Sequence, residues 1–248
     1  MSVPVVTIDG PGGSGKGTIS QLLAARLGWH YLDSGALYRV LGLAAQEAGI
    51  PLTDGSALAG LANRLQLAFE PQADGSPARV YLNKQDVSAG LRTEECGRWA
   101  SEVAVLPEVR AALLQKQHDF RHPPGLVADG RDMGTTVFPT ARLKIFLTAS
   151  PEVRAERRYK QLKEKGLNVS LPLLLGEIRT RDARDAEREA SPLKPATDAE
   201  ILDTSSMSIP EVVQYILARL QSPFRRAGHS GPPLSSNKPE GDLSSCSV

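Results

Sequence analysis

The 248-residue sequence is poor in the residues that build the more specialised kinds of site. Cysteine occurs twice, at Cys96 and Cys246, which makes neither a disulfide framework nor a thiolate metal spacing. The four histidines, His30, His118, His122 and His229, show no metal-ligand spacing and no nucleophile partner. Charge of one sign is also missing, because 29 basic and 28 acidic residues leave a formal net charge of +1. A chain without a global basic field does not attract nucleic acid as a whole, so any anion must be met by a local cluster. Met1 leads almost directly into the apolar Val3–Ile8 run, with no basic region, long apolar stretch or small-residue cleavage site. Neither secretion nor membrane insertion is expected, and a reducing cytoplasm fits the cysteine usage. No internal repeat is visible.

Hydrophobic residues at 41% and charged residues at 23% are those of an ordinary globular protein, and the length suits one large α/β core with a small insertion. Val3 to Ile8 is a β-branched run that stops at Asp9-Gly10, and an amphipathic stretch from Lys16 to Leu27 follows. A strand at His30–Leu32 and a helix at Ser34–Ala48 continue a βαβ rhythm, which points to a parallel sheet. The rhythm breaks over residues 65–88, where short alternating strands around Asp74-Gly75 predict a small antiparallel insertion. Helices are expected from Thr93 to Val105 and from Pro107 to Phe120, and buried strands at Gly125–Ala128 and Leu143–Leu147. Charged helices at Pro151–Lys165 and Leu171–Glu189 and a strand at Ile201–Asp203 follow. The last helix is opened by Ser208, Pro210 and Glu211 and ends near Leu220. From Gln221 to Val248 the chain is rich in Ser, Pro and Gly and is expected to be a disordered tail, leaving residues 1–220 as the folded domain.

Between the first strand and the first helix stands Gly10-Pro11-Gly12-Gly13-Ser14-Gly15-Lys16-Gly17-Thr18. Glycines let backbone amides curl around a polyanion, the helix N-terminus adds partial positive charge, and Lys16 can reach the outer phosphates. The residue after the lysine is Gly17, so the hydroxyl for a magnesium shell comes one place late, at Thr18. Gly10, Gly12 and Gly15 also spell the dinucleotide pattern G-x-G-x-x-G, with Asp33 near the ribose-binding position. Lys16 and Thr18 decide against that rival, because a pyrophosphate held by backbone alone needs no lysine there.

Asp33-Ser34-Gly35-Ala36-Leu37-Tyr38-Arg39 and Asp129-Gly130-Arg131-Asp132-Met133-Gly134 each begin where a sheet strand ends, the edge at which such sheets bind ligands. Asp33 or Ser34 also reads as a plain helix cap, and Arg131 with Asp132 as a paired surface turn. Asp129, ending an apolar strand, is placed to hold a carboxylate near magnesium. Arg181, Arg184, Asp185 and Arg188 share one helical face, which could equally be a solvated ladder of ion pairs. With Arg154, Arg157 and Arg158 they make an arginine supply suited to more than one phosphate group.

Residues 10–18 (GPGGSGKGT), 32–39 (LDSGALYR), 127–139 (VADGRDMGTTVFP), 144–150 (KIFLTAS) and 179–185 (RTRDARD) together resemble the bacterial cytidylate kinases, of the nucleoside monophosphate kinase superfamily. The likeness runs from Val3 to about Leu220. It implies an α/β P-loop three-layer fold, with the 65–88 insertion binding the monophosphate and a helical lid at about 150–168 carrying Arg154, Arg157 and Arg158. It implies ATP and Mg2+ as cofactors and CMP and dCMP as substrates. Ser34, Arg110 and Asp132 would meet the cytosine, with Asp132 accepting from its 4-amino group. Arg181 and Asp185 would hold the ribose hydroxyls. Arg39, Arg131 and Arg188 would hold the acceptor phosphate, with Ser101 and Asp129 nearby and Asp33, Tyr38 and Gly130 completing the motifs.

That chemistry agrees with the residue types. The acceptor phosphate, with a second pKa of about 6, is mostly a dianion at neutral pH and needs no base. The obstacle is repulsion between two polyanions, which Lys16, Mg2+ and an arginine ring would offset. A shikimate-type kinase shares the loop and size but lacks the paired motifs, and a guanine-reading switch would need an N-K-x-D motif that the chain lacks. A monomer that binds neither nucleic acid nor membrane is expected.

Overall fold

The computed structural model describes residues 3–72, 76–164, 166–187 and 192–221. Five parallel strands form the central sheet in the order β2-β6-β1-β7-β8, from β1 (Val5–Asp9), β2 (His30–Asp33), β6 (Leu126–Gly130), β7 (Leu143–Thr148) and β8 (Glu200–Asp203). All residues of β1 and β6 are buried, as their unbroken apolar runs require in strands covered on both faces.

On one face, α1 (Lys16–Leu27) and α8 (Ile209–Gln221) pack over Val6, Ile8, Val127, Ile145 and Leu147. The stripe expected on the last helix is the packed one, with Val212, Val213, Ile216 and Leu220 buried and Leu217 partly so. Its capping box is formed, the Ser208 amide donating to Glu211 Oε2 at 2.8 Å. On the other face lie α2 (Ser34–Glu47), α4 (Glu94–Val103) and α5 (Pro107–Asp119), with α3 (Gly55–Arg64) against α5. Helix α3 was not anticipated. Its N-cap is Asp54, which accepts from the Ala57 amide at 2.9 Å, and it buries only Leu58 and Ala62.

The insertion is an antiparallel sheet of β3 (Leu67–Glu70), β4 (Arg79–Leu82) and β5 (Gln85–Asp86). The expected turn at Asp74-Gly75 lies outside the described residues. After β7, α6 (Pro151–Glu164) and α7 (Leu171–Glu187) pack on one another beside the sheet's carboxyl edge. Gln221, expected to start the tail, instead closes α8; residues 222–248, with Cys246, lie outside the described residues. No described helix is long and apolar enough to cross a membrane.

Candidate active site

Three neighbouring strands bring carboxylates to one edge. Asp33 ends β2 opposite Asp129 of β6, and Ile8, just before Asp9, faces Asp129 from the other side. The 10–15 loop leaves β1 at this edge and enters α1, and an open cleft of about 2590 Å³ spreads above it. The loop, Lys16, Thr18, Asp33, Arg39 and Ser101 line the cleft on one side, and Arg157, Arg158, Arg181 and Asp185 on the other.

Lys16 Nζ donates to the Pro11 carbonyl at 3.2 Å. Burial pulls its pKa below the ordinary lysine range, against the pull of Asp129 in the opposite direction. Burial likewise pushes the Asp129 carboxyl up to about 7, opposed by Lys16 and reinforced by Asp33 and Asp9. Asp129 Oδ2 accepts from the Tyr31 hydroxyl at 3.5 Å, while Oδ1 is buried with no hydrogen-bond partner among the described residues. The departure at Gly17 has a local cause: a Cβ there would stand 3.3 Å from Asp129 Oδ2. A larger side chain would crowd that carboxylate, and the hydroxyl moves on to Thr18.

The cap and the site are not exclusive at Asp33, whose Oδ1 accepts from the Ala36 amide at 3.0 Å while the residue lines the cleft. Ser34 is buried and donates to Gln117 Oε1 at 2.8 Å. Arg110 and Asp132, assigned together by resemblance, are joined by a 2.7 Å ion pair, so Asp132 is not the surface partner of Arg131. Arg39 Nη1 donates to the Leu91 carbonyl at 2.8 Å, Tyr38 packs against the core beside it, and Ser101 Oγ donates to the Gly97 carbonyl at 3.0 Å.

On α7, Arg181 is exposed and Asp185 buried. Asp185 is 1% exposed and accepts from Arg131 Nε at 2.6 Å. Arg188 lies outside the described residues. Arg154 stands on α6, inside the segment expected to form the lid, and faces inward. Arg154 is 3% exposed and donates to Ala149, Gly12 and Asp182, because α7 covers the face of α6 from which it projects. Arg157 reaches the Thr204 carbonyl at 2.6 Å and Ser14 at 3.4 Å, leaving Arg158 on the cleft wall.

Sequence reading passed over Asp9, taken there only as the end of a strand. Its two carboxylate oxygens accept from the amides of Met133 at 2.9 Å and Gly134 at 2.8 Å. They fasten the segment after Asp132, which continues as a π-helical turn over Met133–Val137. A buried carboxylate facing two amides across the sheet has no local sequence signal, and neither has Gln117.

The cytidylate kinase family profile matches residues 6–222. Cytidylate kinase of Methylococcus capsulatus is 58% identical over 221 residues, covering 89% of this chain and 98% of that one. That of Pseudomonas fluorescens is 57% identical over 220 residues, 89% and 96% of the two chains. That of Nitrosococcus oceani is 58% identical over 215 residues, 87% and 95%. The paired motifs at the sheet edge and identity over nearly the whole length of these relatives agree: the chain belongs to the cytidylate kinase family.

Proposed function

We propose that this chain transfers the γ-phosphoryl group of ATP to CMP and dCMP, giving ADP with CDP or dCDP. The observation that carries this reading is the Arg110–Asp132 pair, standing just after the β6 edge that also bears Asp129 and adjoins the phosphate loop. Asp132 presents an acceptor suited to an exocyclic amine, and Arg110 orients that carboxylate through the 2.7 Å pair. Ser34, steadied by Gln117, completes the base side. Asp185 and Arg181 would take the ribose hydroxyls. Arg39, Arg131 and Arg188 would take the acceptor phosphate, with Ser101, Tyr38, Asp33 and Gly130 around it.

On the donor side, backbone amides of residues 12–17 would cradle the phosphates and Lys16 would follow the charge of the transferring group. Mg2+ binds through one or two carboxylates together with substrate phosphates, and the unpartnered, buried Oδ1 of Asp129 fits that donor set, with the Thr18 hydroxyl as a second. The ion, when bound, would neutralise charge on the ATP phosphates that face the acceptor phosphate. Transfer needs no protein base, because the attacking oxygen belongs to a phosphate already ionised at neutral pH. What the residues supply is alignment and charge, and closure of the α6–α7 lid and the 65–88 insertion over both substrates keeps water out. A single kinase domain over 1–220, a monomer working in the cytoplasm without nucleic acid, belongs to the same reading.

A coupled assay with ATP–Mg2+ and a panel of CMP, dCMP, UMP, AMP and shikimate tests it. Turnover is expected with CMP and dCMP ahead of the rest. Turnover with shikimate, or with no monophosphate, would overturn the reading.

A further inference from the structure

Two aspartates one turn apart on α7 reach arginines from two different parts of the fold, Arg131 after β6 and Arg154 on α6. Asp185 accepts from Arg131, which directly precedes Asp132 of the Arg110 pair. Asp182 accepts from both terminal nitrogens of Arg154, the Nη1 bond being 2.9 Å. The same Nη1 donates to the Gly12 carbonyl at 3.1 Å, and Nε to the Ala149 carbonyl at 2.9 Å. A Cβ on Gly13 would stand 3.3 Å from that of Arg154, so this side chain is wedged between the phosphate loop and α7. A loop whose amides face a polyanion is held in place through its carbonyls. One of them is here tied to the helix that carries Arg181 and Asp185.

We infer that Asp182, acting through Arg154, is a positioning residue that couples the two substrate sites, so that ATP and the monophosphate each bind more tightly when the other is present. The inference rests on the phosphoryl-transfer reading above. A forked arginine–carboxylate pair whose guanidinium is buried and whose carboxylate is partly exposed still has one good geometry, and displacement of α7 is therefore passed to Gly12 rather than absorbed. The link is contiguous: Gly12, Arg154, Asp182, one turn of α7, Asp185, Arg131 and Asp132. Reciprocity is required thermodynamically, so the factor by which CMP tightens ATP is the factor by which ATP tightens CMP.

Titration calorimetry of the full chain with a non-hydrolysable ATP analogue and Mg2+, with and without saturating CMP, tests this. In the unaltered chain CMP should tighten the analogue by about five-fold or more. Asp182→Asn should bind each ligand alone about as the unaltered chain does and lose most of the coupling, raising the KM for ATP at saturating CMP. Arg154→Lys keeps the charge but cannot span Asp182 and Gly12 together, and it carries the test if Asp182→Asn is too unstable to purify. The double variant should lose no more coupling than either single one. Three results overturn the inference while leaving a CMP kinase intact: no coupling in the unaltered chain, coupling that survives both substitutions, or weakening as large without CMP as with it. Failure of the unaltered chain to phosphorylate CMP or dCMP overturns the underlying reading, and the inference with it.

Discussion

Burial pushes the Asp9 carboxyl up to about 6, with the Asp132 charge adding to the rise and the Gly134 and Met133 amides and Lys16 opposing it. Between the ordinary carboxylate range and that value the folded chain holds a proton the unfolded chain has released. The stability so contributed is complete below the unfolded pKa and is lost as pH rises to about 6. In Asp9→Asn, the advantage of the native residue should therefore shrink across that window, by up to about 1.4 kcal/mol per pH unit. Melting temperatures of the two chains at a series of pH values would show it, and a gap independent of pH would mean that the carboxyl titrates normally. Lys16→Ala removes charge where the transferring group develops its own, so kcat should fall by about three orders of magnitude in a folded protein. Near-normal turnover there would remove the phosphate loop from the chemistry. Asp132→Asn turns an acceptor toward the 4-amino group into a possible donor and leaves Arg110 short of its partner. The preference for CMP over UMP should collapse further than ATP binding weakens, as measured by kcat/KM for the two acceptors.

Elements were legible where a single periodicity ran unbroken. The Lys16–Leu27 helix and the Pro107 start of α5 stand as the sequence places them, and β1 is found at Val5–Asp9 against an expected Val3–Ile8, because each is specified by its own residues. Helix α3 was passed over although Asp54 is a capping residue and Ala57, Leu58, Leu61 and Ala62 are helix formers, because two glycines interrupt a short segment that buries only Leu58 and Ala62. Spacing put Arg154 on its helix but could not tell that α7 covers the face from which it projects. The phosphate loop and the two Asp-led motifs were readable because backbone chemistry forces their composition, whereas Asp9 and Gln117 matter only through partners more than eighty residues distant. The apolar face of α8 makes a quantitative test. Four side chains, Val212, Val213, Ile216 and Leu220, leave water against the sheet, each worth about 1.5–3 kcal/mol. Their sum is of the order of a domain's whole stability, about 5–15 kcal/mol. A chain ending before Ser208 should lose cooperative unfolding, while one ending after Gln221 should keep both its melting temperature and its CMP kinase activity. Equal melting of the two truncations would mean that α8 is dispensable to the core.

At the scale of the whole molecule, the site is assembled from distant parts of the chain: the loop after β1, the caps of α2, the segment after β6 and the face of α7. The central sheet places β6 between β1 and β2, and β1 between β6 and β7. Neither N-terminal strand has the other as a neighbour, so every hydrogen-bonded pair that β1 makes waits for residues 126–146. A ribosome adding about 5–20 residues per second would leave the first strand without a ladder for several seconds or longer. Val5, Val6 and Ile8, later wholly enclosed, are exposed throughout that interval unless something covers them. The strand order that builds this edge therefore makes the pairing of the first strand wait on translation of the middle of the message, so that slower elongation across residues 34–125 lengthens the time β1 spends without a ladder.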